Sequence, residues 1–329
     1  SVNSESECSL LDGLKRVAGD SVKVLYAKGC NLVEDRKYAE RVGWTSEWDN
    51  RNGEDMTNEA LDIANKSDVI VAALGESADM SGECASRSQI DIPEPQETLL
   101  KTLVKTGKPV VLVLFNGRPL VLNWGKKNVP TILDVWFGGS EAAKAIGDVL
   151  FGDVNPSGKL TASFPQNVGQ LPYSYIHENT GRPLEKGKWF EKFRSDYLDV
   201  NNDMLYPFGY GLSYTTYKYS DITLSADRMN KNSSIKASVT ITNTGKRDGE
   251  EIVEMYLRQM VGSVARPTKE LKGFKKIHLK AGESKRVDFT VTPDLLKFYN
   301  SNLQYVAEPG EFKVMIGTDS ENLQSHSFD

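Results

Sequence analysis

Two different patterns of apolar residues divide this chain. In the first half, helical and strand-like runs alternate. Leu10, Leu11, Leu14 and Val17 recur at helical spacing and Gly19 ends the run, which predicts a helix; Val22–Ala27 then reads as a strand. Ala60, Ile63 and Ala64 mark a second helix, and Ser67–Gly75 (SDVIVAALG) is a β-branched run of the kind buried on both faces of a parallel sheet. A helix over Pro95–Thr106 places Leu99, Leu100, Leu103 and Val104 on one face, Gly107 caps it, and Lys108–Gly117 is the next buried strand. Thr131–Phe137 is a third such strand, and Gly138 and Gly139 lead into a helix over Glu141–Phe151. Strands separated by helical stretches of this length form βαβ units, so the first half is expected to be an α/β sandwich: an open, mostly parallel sheet with flanking helices.

The second half changes character. From Tyr173 to Thr215 the chain is rich in Tyr, Asn, Gly and Pro without a sustained period, which suggests a long ordered connector. From Tyr217 onward short strands are split by turns. Ile235–Gly245 alternates Ala237, Val239 and Ile241 with polar neighbours. Glu250–Gln259 carries Ile252, Met255 and Leu257 in looser alternation, Glu283–Thr292 has Val287, Phe289 and Val291, and Phe312–Thr318 follows the turn Glu308-Pro309-Gly310. This spacing predicts an all-β, immunoglobulin-like sandwich. The expected organisation is therefore residues 1–172, a connector over 173–216, and a sandwich over 217–329.

Composition narrows the function classes. The 329 residues carry 40 basic and 45 acidic side chains, a formal net charge of -5, which argues against a nucleic-acid grip by bulk positive charge and offers no basic run for anionic lipid. No apolar run approaches the ~18 residues of a membrane span. The stretch Ser1–Cys8 is polar, with no apolar core of a signal peptide. Cys8, Cys30 and Cys84 fit neither a disulfide framework nor a metal cluster, and His177, His278 and His326 are scattered, so no metal and no cofactor is expected.

Open α/β sheets bind ligands beyond the carboxyl ends of their strands. There the strand ending in Gly75 opens into GESADMSGECASRSQIDIP, Gly75–Pro93, with Glu76, Asp79, Glu83, Arg87 and Asp91. Ser81, Gly82, Cys84 and Ala85 leave the Glu83 carboxyl unobstructed, as a proton donor requires; the ordinary and more frequent reading of any acid in such a loop is a solvated surface charge. Phe115–Pro119 (FNGRP) follows a strand in the same way and either presents Asn116 or Arg118 or simply ends the strand. The FGGSEA stretch lacks a phosphate-loop Lys and the dinucleotide glycine spacing, which makes a nucleotide site improbable. Cys84 has no nearby His and reads as a bystander. The aromatic cluster Tyr206–Tyr217 suits sugar stacking or, more readily, packing.

The loop Gly75–Pro93 resembles the acid-bearing loop of glycoside hydrolase family 3, the β-glucosidase and exo-β-glycosidase family. The resemblance continues through TGKPVVLVLFNGRPL, WFGGSEAAKAIGDVLFGDVNPSGKLTASFP, VGQLPYSY, NTGRP, LYPFGYGLSYTTY, RPTKELKGFKKIHLKAGES and EPGEFKVMIG, in the family's order over nearly the whole chain. It implies an α/β sandwich followed by a fibronectin type III-like domain. It also implies retaining hydrolysis of terminal β-linked sugars by two carboxyl groups, one attacking the anomeric carbon and one handling the proton, ~5–5.5 Å apart. Matched to the family, Glu83 in its Ser-Gly-Glu segment is the general acid/base. Glu76 is expected to orient or close the loop, and Asp79 and Arg87 to pair across it. The nucleophile, an Asp in a Ser-Asp-Trp-like segment, belongs to an N-terminal barrel module; no such segment occurs here, so the chain alone is expected to be inactive and its Glu83 more exposed than beside that module. The implied partners are a β-glucoside or β-linked oligosaccharide and the barrel module, with no nucleic acid and no membrane, and a homo-oligomer is left open; the implied compartment is the periplasm or outside the cell. Tyr197, Asp199 and Tyr206 are expected to brace domains, and the loop Gly262–Glu270 to reach toward a neighbour. Two readings compete: a non-catalytic carbohydrate-binding or assembly module, which needs a row of exposed aromatics, and a small-molecule binder, which the absent phosphate motifs disfavour.

Overall fold

A computed structural model describes residues 8–45, 48–185 and 187–329. The expectation drawn from the polar stretch Ser1–Cys8 falls, but for Cys8, outside them. The chain divides into two compact units, Ser1–Val154 with Pro165–Leu171, and Asn155–Phe164 with Pro172–Asp329. Asn155–Phe164 groups with the second unit, where Leu160 N–H donates to Tyr210 O and Phe164 N–H to Tyr206 O, each at 2.8 Å, and the Asn155 amide donates to Asp248 O at 3.0 Å.

The first unit is built on a three-stranded parallel sheet of β1 (Ile70–Gly75), β2 (Val110–Phe115) and β3 (Thr131–Asp134), in that order. Six helices are described around it: α1 (Leu10–Ala18), α2 (Arg36–Val42), α3 (Gly53–Asn65), α4 (Glu94–Val104), α5 (Asn123–Asn128) and α6 (Ala142–Phe151). Strand β2 is the middle strand, and Val110, Leu112, Val113 and Leu114 are all buried in it. Helix α4 lays Leu99, Leu100 and Leu103 into the same core. In register, Leu74 of β1 stands beside Leu114 of β2, and Leu114 beside Asp134 of β3, so the three strands present their carboxyl ends together.

Two expectations for this unit are corrected. Strand β1 is not buried on both faces: Val71 and Ala73 are exposed while Ile70, Ala72 and Leu74 are buried, so the apolar run covers one face only. Val22–Ala27 forms no strand. Val22 is extended, but among the described residues no backbone pairs with this segment, so its β-branched residues make no ladder, and Val22 and Tyr26 lie exposed.

Helix α1 starts where Ser9 accepts the Asp12 N–H and ends at Gly19 in a positive-φ conformation, as its sequence implies. It packs against α6 so closely that a Cβ on Gly13 would lie 2.6 Å from both the Cβ and the carbonyl oxygen of Ala143, and one on Gly147 would lie 2.8 Å from Val17 Cγ2.

The second unit is a β-sandwich. One sheet runs β13 (Leu323–Phe328), β12 (Phe312–Gly317), β7 (Gly249–Gln259), β8 (Glu270–Leu279); the other joins β4 (Tyr217–Tyr219), β6 (Ile235–Asn243) and β5 (Thr223–Leu224), with β9 (Ser284–Val291) also paired to β6. Between them lie Ala237, Val239, Ile241, Val253, Met255, Leu257, Val287, Phe289, Val291, Val314 and Ile316. A separate hairpin pairs β10 (Phe298–Tyr299) with β11 (Tyr305–Val306). The loose alternation of Glu250–Gln259 has a physical cause: β7 is buried on both faces from Val253 to Leu257, and its register shifts between Met255 and Tyr256. The outer face is covered by Asn155–Phe164 and by the connector, where Lys159 lies 3.4 Å from Glu251 and Gly209 sits against the Glu254 carboxylate. Tyr206 packs edge-on against Phe164 and tilted against Tyr210, whereas Tyr197 and Asp199 are exposed. Arg266 of the loop Gly262–Glu270 is held within the unit, over the Phe298 ring and 2.9 Å from Glu270.

The Gly13 contact makes a directional prediction. Alanine favours a helix over glycine, yet the atom it would meet is a backbone carbonyl that cannot rotate away, so Gly13→Ala is expected to destabilise the first unit by about 1–3 kcal/mol. Gly53, at the start of α3, has open space around its would-be Cβ, and Gly53→Ala is expected to stabilise by about 0.4–1 kcal/mol. Urea unfolding followed by tryptophan fluorescence checks both, since Trp44, Trp48, Trp124 and Trp136 all lie in this unit.

Candidate active site

The acid loop begins with two fixed residues. Gly75 has φ +138°, and a Cβ there would lie 1.8 Å from Phe115 O, so only glycine fits the end of β1. Its N–H donates to Gln96 Oε1 at 2.7 Å and its carbonyl accepts from Gln96 Nε2 at 3.0 Å, which locks the strand end to helix α4. The next N–H, that of Glu76, donates to Phe115 O at 2.8 Å.

The Glu76 side chain then turns inward and is 1% exposed. Its Oε1 accepts from Arg87 Nη1 at 2.8 Å and lies 3.1 Å from Arg118 Nε; its Oε2 accepts the Gly117 N–H at 3.2 Å. A desolvated carboxylate is tolerated only when paired and hydrogen-bonded, and here two guanidinium groups and one amide do so. The Arg87 Nη2 donates onward to Asp91 O at 3.0 Å. The Arg118 Nη2 donates to Ala85 O at 2.8 Å and to Met80 O.

Between those two carbonyls lies Glu83. The Ala85 N–H donates to Gly82 O at 3.3 Å, closing a β-turn whose corner residues are Glu83 and Cys84. Gly82 has φ +120° and Cys84 φ +60°, so the residues on both sides of Glu83 are in positive-φ conformations. Cys84, a non-glycine residue in the left-handed region, carries strain that its surroundings must hold. The Glu83 side chain is exposed at the apex. Gly117 packs under the turn, and a Cβ there would lie 1.9 Å from Ser81 Oγ and 2.7 Å from Phe137 Cζ.

Each expected residue now has a place. Glu83 is displayed and exposed, and Glu76 anchors the loop and is buried, not a solvated surface charge. Arg87 pairs with Glu76 and not with Asp79, which is exposed, because the buried charge is the one that needs compensation. Sequence reasoning left Arg118 open between presentation and strand ending, and it assigned no role to Gln96 or Asp134. Gln96 had a legible signal, an amide on the otherwise apolar face of α4 with Leu99, Leu100 and Leu103. Asp134 had none, since it ends a short strand like many surface aspartates.

The carboxyl oxygens of Asp134, at the end of β3, are buried, and burial pushes the group up from the ordinary 3.8 to about 7; the nearby Trp136 backbone and Asn116 amide offset only part of that. Burial also raises Asp91, with Glu97 adding to the rise and Arg87 opposing it. The Cys30 thiol is pushed up to about 11 by burial, which makes it inert, and Cys84 is exposed and free. Among the described residues no group of His, Cys, Asp and Glu has the arrangement to hold a metal ion, and no helix is long and apolar enough to cross a membrane.

The chain thus combines an α/β unit, which displays a carboxyl group on a braced loop beyond its parallel strands, with a fibronectin-like β-sandwich. The chain belongs to glycosyl hydrolase family 3: residues 1–214 match the family's C-terminal domain, and residues 251–320 match a fibronectin type III-like domain. It is 48% identical over 324 residues to a periplasmic β-glucosidase of Salmonella typhimurium, covering 98% of this chain and 42% of the relative. It is 42% identical to a β-xylosidase of Formosa agariphila, covering 95% of this chain and 40% of the relative. The crystal structure of a β-glucosidase from Listeria innocua in complex with isofagomine superposes with a TM-score of 0.88 at 36% identity, covering 99% of this chain and 43% of that one. The chain thus spans about two fifths of the length of these relatives.

Two outcomes follow from the buried acids. Glu76→Ala leaves Arg87 and Arg118 without their counter-charge and is expected to destabilise the first unit by about 3–5 kcal/mol in urea unfolding. Asp134 works through pH. Its folded value lies above its unfolded one, so the folded state binds the extra proton; the stability this contributes is full below about 4 and is lost as pH rises toward about 7. Asp134→Asn is expected to remove that slope, so that its stability relative to wild type rises by on the order of 3–4 kcal/mol across the window.

Proposed function

We propose that this chain supplies the general acid/base, Glu83, of a retaining exo-acting β-glycosidase of the β-glucosidase type, whose nucleophile resides on an N-terminal barrel module. Protonating a glycosidic oxygen requires a carboxyl group that reaches the substrate on a rigid support. The observation that carries the reading is the turn at Glu83: an exposed carboxyl at the apex of a loop whose base is held by a buried ion-paired Glu76. Glu76 and Arg87 brace the loop in this reading, and Asp79 lies at its solvent side. The substrate is a terminal β-linked glucoside or related sugar. A periplasmic or secreted location accords with the printed description of the Salmonella typhimurium relative.

The test uses leaving groups. This chain by itself is expected not to turn over nitrophenyl β-glucoside. In the complete enzyme, Glu83→Gln is expected to lower kcat/KM on cellobiose by about 100- to 10,000-fold, because its leaving group needs a proton. On a dinitrophenyl β-glucoside, whose leaving group departs unassisted, kcat/KM should hardly change while kcat falls with the slowed second step. Full cellobiose activity in Glu83→Gln would rule the assignment out.

A second reading, a carbohydrate-binding module, has one observation in its favour. Phe289 and Phe312 point into the sandwich as expected; Tyr256, expected to do the same, is instead buried on the outer face of β7 against Tyr175 and Glu254, while Tyr299 and Tyr305 stand exposed side by side on the β10–β11 hairpin with ring centroids 5.0 Å apart. Glycan-array binding by this chain, abolished by Tyr299→Ala with Tyr305→Ala, would favour it.

A further inference from the structure

We propose that Arg118 is the positioning residue for Glu83: a single guanidinium, matched in charge by Glu76, grips the carbonyls of Met80 and Ala85 on either side of the turn and fixes where the Glu83 carboxyl is displayed. The proposal rests on the reading of Glu83 as the acid/base. Arg118 comes from the turn after β2, the strand next to the one that feeds the loop, so its backbone belongs to the sheet and not to the loop it holds. Its two neighbours in the turn serve the same contact. The Gly117 N–H donates to Glu76 Oε2, the Asn116 Nδ2 donates to Arg118 O at 2.9 Å, and the missing side chain of Gly117 leaves room for Ser81.

The loop needs such a grip. The turn is closed by one 3.3 Å hydrogen bond and carries Cys84 at φ +60°, a strained conformation for a residue with a Cβ. Left alone, a four-residue turn of this kind would relax. Arg118 Nη2 donates to both Met80 O and Ala85 O while Nε lies 3.1 Å from Glu76 Oε1 as an ion pair; the rigid guanidinium plane fixes these directions relative to one another, and a lysine ammonium has the charge without that plane. Arg87 pairs with the same carboxylate but donates to Asp91 O, at the far end of the loop, so it anchors the return of the chain and not the turn.

Arg118→Lys and Arg118→Met, made in the complete enzyme, test this. Both are expected to lower kcat/KM on cellobiose by about 10- to 100-fold, the scale of a misplaced catalytic group, and to leave kcat/KM on the dinitrophenyl β-glucoside within about threefold of wild type. Equal losses on both substrates would make Arg118 merely structural, and unchanged cellobiose hydrolysis would remove its role altogether. Glu83→Gln, run alongside, separates the two claims: if it spares cellobiose hydrolysis the acid/base reading fails, whereas an inactive Glu83→Gln beside neutral Arg118 variants defeats the positioning claim alone. Amide hydrogen exchange in this chain gives a readout independent of activity. In Arg118→Lys, exchange at Ala85, whose N–H closes the turn, should speed at least about tenfold while Val111–Leu114 in β2 stay protected; unchanged exchange at Ala85 would overturn the proposal.

Discussion

A carboxylate taken out of water has to be matched where it lies, and in the first unit that single requirement organises the edge of the sheet. Glu76 follows β1 directly, and its side chain is almost wholly shielded. The effective penalty for burying such an ion is several kcal/mol, so the fold is stable only with cations brought close. Those cations arrive from two different pieces of chain. Arg87 is supplied by the loop itself and Arg118 by the turn after the neighbouring strand. Satisfying one charge therefore ties a loop that would otherwise be free to the most deeply buried strand of the core. The ion pairs are a weak source of net stability but a strong source of geometry, because no other arrangement of the loop leaves all three charges paired.

The same logic explains the contrast between the two glutamates of the loop. Glu76 is buried with its partners and does its work by not moving. Glu83, seven residues on, is at the solvent side of a turn whose strained residue is held from behind. A general acid near neutral pH needs low-dielectric walls and a nearby negative charge to keep its proton. A chain that fixes the position of a carboxyl group while leaving it exposed has done half of that task, and the proposed function assigns the other half to the module that carries the nucleophile. Support and display are separate duties, and the loop gives each to a different residue.

The order of elements was legible because their apolar periods are long and their ends are punctuated. Ser9 and Gly19 bound α1, β2 is a run of consecutive apolar residues, and the strands β6, β9 and β12 alternate. What failed was whatever depends on a partner distant in sequence. Val22–Ala27 has the composition of a strand, but a ladder needs a second backbone, and composition does not supply one. Val71 and Ala73 look buried in a continuous apolar run and are exposed, because what covers a sheet face comes from elsewhere in the chain. Within the loop the list of acids and basic residues was readable, and their pairing was not. Arg87 is eight residues from Asp79 and eleven from Glu76, and only burial decides between them. Arg118 could be weighed only as a turn residue, since its targets lie 33 and 38 positions away.

Buried acids elsewhere in the chain are handled by a different device, and the difference has consequences. Glu254 of β7 is enclosed by Gly209 and receives the Tyr256 hydroxyl, with no cation in direct contact among the described residues; burial pushes it up to about 7. Asp134 in the first unit has the same fate for the same reason. Glu251 is an intermediate case: burial raises it, and Lys159 and the Tyr219 hydroxyl pull it back. An acid neutralised by a proton stabilises the fold only while the proton stays, so Asp134 and Glu254 both contribute most in mild acid and lose that contribution as pH climbs toward 7. Pairing, as at Glu76, costs two arginines but does not depend on a proton being retained. The paired solution occurs directly under the turn that displays Glu83, and its geometry therefore does not change as pH moves through the range in which Asp134 and Glu254 titrate.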